Sequence, residues 1–259
     1  MSGLVSAALE KGVLWLTLRR PQKRNALSRA LLAELAASFM RWRERQDLCV
    51  ALLTGEGEKA FASGGDLDEL SLLRDEAETL QFAKETRGAL DTIRRFPVPV
   101  VAGLNGDALG GGAELAMACD LRIAAPHARI GFLQGRLNIA TAWGGGTDLL
   151  RLLGSARALL LLGTAEALDA KRALELGLVD GVAPEGEPFR DFVAAFASRL
   201  AARRPQVMRA FKALAIAHRF GAANAEMAEI ESRAFTGTWV HSDHWAAAEA
   251  MFSRTGPQR

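Results

Sequence analysis

Two glycine-rich turns, each set between an apolar run and a helix-forming stretch, constrain this chain more than any other feature. In FASGGDLDEL, Gly64 and Gly65 precede an acidic helix start; in GDALGGGAELAMACD, Gly110, Gly111 and Gly112 lead into a short apolar helix. The first N–H groups of a helix have no internal partner and the local dipole is positive, so such an end suits an anion. Glycine lets a ligand come close to the backbone. Two such ends aimed at one oxygen make an oxyanion hole, where each donor is worth about 3 kcal/mol of transition-state stabilisation. Gly65 and Gly111 are the candidate donors. Either turn alone reads equally well as a tight turn. Glu114 sharpens the reading, because it is a charged residue in the first turn of an otherwise apolar helix, where general acid/base work would account for it.

The flanking sequence supplies layers of strand and helix. VSAALE, a Lys11–Gly12 turn and VLWLTLRR predict a hairpin, and Ser28 predicts the cap of a helix through RALLAELAASFMRWRERQ. CVALLTGEG, PVPVVAGLNG and LRIAA read as strands, so the strand–glycine–helix pattern occurs twice in succession. From Trp143 onward the pattern is helical, and near residue 200 the balance shifts to nearly all helix, which divides the chain into a core over 1–199 and a C-terminal helical region over 200–259. That region reads as an appendage packed on the core or on a neighbouring subunit.

Composition excludes several classes. The 259 residues are 49% hydrophobic and 24% charged, as in ordinary folded proteins, and a net charge of +2 spread along the chain offers no basic face for nucleic acid. No apolar run reaches the ~18 residues that span a bilayer. The N-terminal MSGLVSAALEKG lacks a signal-peptide pattern, and Cys49 and Cys119 read as small buried hydrophobes of a reducing compartment. The expectation is a cytoplasmic protein with no membrane and no nucleic-acid partner. Nucleophile-elbow and phosphate-loop patterns are absent, and Leu115 breaks the dinucleotide fingerprint. No metal site is expected: His241 and His244 in HSDH read as a solvated turn, and there is no tyrosine to serve as a phenolic acid.

Three blocks, RPQKRNALS, FASGGDLDEL and GDALGGGAELAMACDLRIA, followed by ALELGLVDGVAP, resemble the crotonase superfamily, also called the enoyl-CoA hydratase/isomerase family, from about residue 10 to about residue 185. The resemblance implies an α/β fold, the crotonase (ClpP-like) spiral of β-β-α units with a C-terminal helical region, assembled as a homotrimer or hexamer. It implies an acyl-CoA substrate and no permanently bound cofactor, coenzyme A being part of the substrate. Gly65 and Gly111 match the two oxyanion donors and Glu114 the first of a hydratase's two catalytic glutamates. Ser63 stands where a backbone carbonyl meets adenine, and Lys23 and Arg24 where cations approach the CoA phosphates. Ala26, Ala62, Gly64, Leu67 and Gly110 belong to the same substrate-binding blocks, with Asp66 capping its helix beside them.

The second glutamate does not appear. Aligning GGGT at Gly144–Thr147 puts Gly135 at its position, within GFLQGRLNIATAWGGGT. Hydration needs one group for water and another for the α-carbon proton, so a single carboxylate favours decarboxylation or isomerisation. The GGGAE block, the missing glutamate and the Trp-Gly-Gly turn are similar to alkylmalonyl-CoA decarboxylases. Gln134 or Arg136 would then hold the departing carboxylate, and Trp143 would wall the acyl pocket. The alternatives are a hydratase using Glu114 and an ordered water, and a non-catalytic acyl-CoA-binding or RNA-binding homologue.

Overall fold

The computed structural model describes residues 3–254. In chain order the elements are β1 (Val5–Glu10), β2 (Val13–Leu18), α1 (Arg29–Trp42), β3 (Val50–Gly55), β4 (Ala60–Ala62), α2 (Leu67–Leu70), α3 (Glu76–Arg94), β5 (Val100–Leu104), β6 (Asp107–Leu109) and α4 (Gly111–Ala118). There follow β7 (Leu121–Ala124), β8 (Arg129–Gly131), α5 (Gly145–Leu153), α6 (Ser155–Thr164), β9 (Ala167–Asp169), α7 (Ala170–Glu175), β10 (Gly181–Val182), α8 (Phe189–Ala201), α9 (Pro205–Arg219), α10 (Asn224–Trp239) and α11 (Ser242–Arg254).

The chain winds as a spiral of strand–strand–helix turns. One sheet has the order β1-β2-β3-β5-β7-β10 and the other β4-β6-β8-β9. Three successive turns place their first strand in the larger sheet and their second in the smaller, so β3, β5 and β7 are parallel neighbours, as are β4, β6 and β8. A parallel sheet covered on both faces takes continuous apolar strands. VVAGL of β5 is accordingly buried along its whole length. One face of the larger sheet packs into the main core around Leu53, Val100 and Phe61, and the other beneath Val193 and Ala197 of α8. The hairpin and the α1 cap stand where the sequence places them: Val5 pairs with Leu18, and Ser28 accepts a hydrogen bond from the Leu31 N–H.

Two expectations change. The stretch after Trp143 is not wholly helical: β9 pairs antiparallel with β8, and β10 runs parallel to β7. These strands are too short for alternation to register, and Asp169 ends β9 by capping α7. The strand–glycine–helix unit also occurs a third time, as β7, β8 and the Gly144-led α5. The division at residues 199 and 200 falls inside α8.

Candidate active site

Each glycine turn hangs from the C-terminal end of a strand in the smaller sheet. After β4, the Leu27 N–H donates to the Gly64 carbonyl (2.8 Å) and the Asp66 N–H to the Leu27 carbonyl (3.1 Å). The Gly65 peptide between these ties has no acceptor for its N–H among the described residues. Arg20 clamps this turn from behind, donating to the Ala26 carbonyl at 2.7 Å and to Asp66 at 2.8 Å. Asp66 also caps α2, and the Arg20 guanidinium holds its carboxyl below the usual carboxylate range. After β6, Gly110 turns the chain at φ 54°, its N–H donating to the Gly131 carbonyl at 2.8 Å, and α4 starts with the Gly111 N–H likewise free of an acceptor among the described residues.

The two turns touch. A Cβ on Gly64 would lie 3.7 Å from the Gly111 nitrogen, and one on Gly112 would lie 1.9 Å from the Ala62 carbonyl oxygen. Side chains at Gly65 and Gly111 would both meet Cη2 of the Trp143 indole, at 3.2 and 2.5 Å. Both candidate donors therefore flank one edge of one ring, on the wall of a single cavity of about 550 Å³.

Glu114 lines the same cavity and is 2% exposed. Its Oε1 accepts from Gln134 Nε2 (3.0 Å), and its Oε2 accepts from the N–H groups of Trp143 and Gly145 (2.9 Å each). Burial pushes its carboxyl above the ordinary glutamate range, with partial offset from the Gly145, Trp143 and Gln134 donors. Gly145 is required here, since a Cβ would lie 2.5 Å from Glu114 Cγ. The turn bearing these donors is held from its other side by Arg94, which donates to the Trp143 carbonyl (2.9 Å) and pairs with Asp148 (2.8 Å) and Asp91 (2.8 Å).

Neither Arg94 nor Asp148 is anticipated from sequence, because they lie on α3 and α5 and only the fold makes them neighbours; a basic residue inside the apolar end of α3 is the sole local hint. The Arg94 and Asp148 side chains are both 4% exposed. Arg94→Met should lower unfolding free energy by about 3 kcal/mol, the low end of the range for breaking a buried pair, because Arg151 and Arg219 stay near Asp148. Urea unfolding of the purified variant checks this.

Of the residues singled out from sequence, Ser63, Gly64, Gly65, Leu67, Gly110 and Gly111 line the cavity from the two turns, and Gln134, Arg136 and Trp143 line it opposite, with Glu114 between. Ala26, Ala62 and Asp66 are buried behind the first turn and do not line the cavity. Lys23 and Arg24 stand outside it, paired with Asp68 (2.5 Å) and Asp107 (3.5 Å), though the Arg24 carbonyl accepts from the Ser63 N–H at 3.1 Å. His241 lies against Asp243, and His244 stacks on Trp239.

Gly135 requires a correction. It sits in a 3₁₀ turn over Leu133–Leu137, and a Cβ there would meet Leu162 O at 3.2 Å and Ala165 Cβ at 3.4 Å, against α6 and away from the cavity. The residue facing Glu114 is Gln134, whose own Oε1 is buried without a partner. The remaining wall is apolar, from Leu70 and Leu73 near α2, Phe82 on α3, and Leu137 and Ile139.

A β-β-α spiral carrying two glycine turns over a common cavity is the crotonase fold, the fold of solved enoyl-CoA hydratases. The chain belongs to the enoyl-CoA hydratase/isomerase family, whose model matches residues 8–257, and so is an enzyme of a family that acts on acyl-CoA thioesters. It is 30% identical over 254 residues to a probable enoyl-CoA hydratase of Bacillus subtilis (strain 168), covering 98% of this chain and 97% of that one. It is 32% identical over 212 residues to the (E)-benzylidenesuccinyl-CoA hydratase of Thauera aromatica, covering 82% of each. The crystal structure of an enoyl-CoA hydratase from Bacillus anthracis superposes with a TM-score of 0.89 at 32% identity, covering 97% of this chain and 96% of that one. Among the described residues no helix is long and apolar enough to cross a membrane.

Proposed function

We propose that this enzyme forms the enolate of an acyl-CoA thioester at the Gly65 and Gly111 N–H groups and moves a single proton through Glu114, in double-bond isomerisation or decarboxylation. The observation that carries this reading is the cavity wall, where Glu114 is the only carboxylate among the described residues and an amide, Gln134, stands opposite. In isomerisation the Glu114 carboxylate takes a C2 proton from a 3-enoyl thioester. The C2–H pair enters the enolate, and the proton returns at C4 as the double bond settles between C2 and C3. In decarboxylation the C2–carboxylate bond breaks, carbon dioxide leaves with the enolate pair remaining, and protonated Glu114 supplies the C2 proton. Either way the developing oxyanion draws on two prealigned donors in a largely apolar site.

The tie between Ser63 and the Lys23–Arg24 loop supports a CoA path along that loop, with the cations at its phosphates and Ser63 at its adenine. Half-exposed or exposed Phe235, Trp239 and Trp245 on α10 and α11 support a trimeric or hexameric assembly. A cytoplasmic location accords with two unpaired cysteines.

A second reading, hydration, is favoured by the hydratases among the relatives and by the unpartnered Gln134 Oε1, which could take a hydrogen bond from water after a side-chain shift. Incubation with methylmalonyl-, ethylmalonyl-, 3-enoyl- and crotonyl-CoA, followed by mass spectrometry, tests both. Loss of carbon dioxide or a mass-neutral shift is expected; robust gain of water by crotonyl-CoA would overturn the proposal.

A further inference from the structure

Trp143 contributes to the site twice, through its main chain and through its ring. Its N–H donates to Glu114 and its carbonyl accepts from Arg94, both at 2.9 Å, so its backbone is fixed at both ends. Its indole is 6% exposed and meets Phe82 edge-on at 6.1 Å, while Arg29 lies over the Phe82 ring at 5.1 Å. On the other side the ring abuts Gly111 so closely that a Cβ there would lie 2.0 Å from Cζ3. The ring thus cannot withdraw toward α4, and it borders Gly65 and Gly111 at once.

The valences of C2 in a bound thioester give this placement a chemical meaning. One bond goes to the carbonyl carbon, whose oxygen sits at the two glycine N–H groups. One goes to the proton exchanged with Glu114. One goes to C3, leading the chain along the apolar lining of Leu73, Leu137 and Ile139. The fourth position is left facing the wall beside the two amides, and that wall is the indole. From this we infer that Trp143 is a specificity-determining residue: its ring confines the site to acyl thioesters with no alkyl branch on C2. Chain length is accommodated; branching at C2 is not. The inference rests on the enolate reading above.

Deuterium exchange at C2 in heavy water, read by mass spectrometry, tests this without a commitment to the later steps. Butyryl-CoA and 2-methylbutyryl-CoA share a main chain and differ only at C2. Each enzymatic rate is divided by that thioester's own hydroxide-catalysed rate, which removes the intrinsic acidity difference. The wild type should favour the straight chain by at least about tenfold. Trp143→Ala, which keeps the N–H to Glu114, should bring the ratio near unity chiefly by raising the branched rate. Trp143→Phe should fall between and guards against misfolding of the smaller variant, with circular dichroism checking both. Comparable wild-type rates on the two thioesters, or a ratio unchanged by Trp143→Ala, would overturn the specificity role and leave the enolate reading intact. Wild-type exchange of neither thioester would remove the isomerisation branch of the enolate reading, and this inference with it.

Discussion

Glu114→Gln is expected to lower turnover by about 10²–10⁴, the usual worth of a positioned acid/base, without loss of the folded state. The substitution is nearly isosteric and its hydrogen bonds can be redistributed. The carboxamide oxygen keeps the Trp143 and Gly145 donors now on Oε2, and its NH₂ faces Gln134, whose amide can turn to present the oxygen that is otherwise unpartnered. Because the folded-state pKa of Glu114 is raised, its contribution to stability is fully present below the unfolded glutamate pKa and is lost as pH rises through the folded value. At neutral pH the wild type therefore bears a charge-burial cost that the variant lacks. Glu114→Gln should match or exceed wild-type thermal stability there and lose that advantage in acid. Melting curves across pH, beside turnover, separate a chemical role for Glu114 from a structural one: a variant that melts early at neutral pH would argue for the structural role.

The same raised pKa makes the pH–rate profile diagnostic. An isomerase needs Glu114 ionised in the free enzyme, so kcat/KM should fall toward acid, with the fall beginning above the ordinary glutamate range. A decarboxylase needs it protonated, so the fall should lie on the alkaline side. In either case the limb should vanish with Glu114→Gln, and a limb that survives belongs to another group.

The parts legible in the sequence share a physical cause. β5 is buried along its whole length and reads as an unbroken apolar run, β3 nearly so, and the glycines between strand and helix interrupt such runs where backbone must lie bare. Gly65, Gly111 and Glu114 were visible because an uncompensated charge and clustered glycines are costly unless used. What escaped reading depends on phase or on distance. A 3₁₀ turn has three residues per turn, so its side chains cannot be placed by counting back from the GGGT glycines, and Gln134 instead of Gly135 came to face Glu114. Arg94 meets Asp148 only after the spiral has closed. Phe82 and Leu70 belong to separate helices that become one wall through the fold alone.

Gly111→Ala should strongly damage the site by adding one methyl group, and its cause can be isolated. Gly111 does not sit in the positive-φ region, so alanine suffers no backbone penalty there, and only space is at issue. Its Cβ would lie 2.0 Å from Cζ3, 2.5 Å from Cη2 and 2.9 Å from Cε3 of a ring that Glu114 and Arg94 hold by its main chain. Either α4 shifts and its first N–H leaves the oxyanion position, or Trp143 shifts and releases Glu114. Turnover should fall by about 10²–10³ or more, as for loss of an oxyanion donor. Stability should fall by about 1–3 kcal/mol from overpacking. Since the clash is with a side chain, Gly111→Ala should cost little further stability and less turnover when made in a Trp143→Ala background, a coupling readable in a double-mutant cycle. Gly112→Ala provides the contrast: its Cβ would lie 1.9 Å from the Ala62 carbonyl oxygen, a main-chain atom that no side-chain truncation removes. If Trp143→Ala rescued Gly112→Ala as well as Gly111→Ala, the indole would be acting by loosening the whole site, and its specific contact with the oxyanion glycine would be refuted.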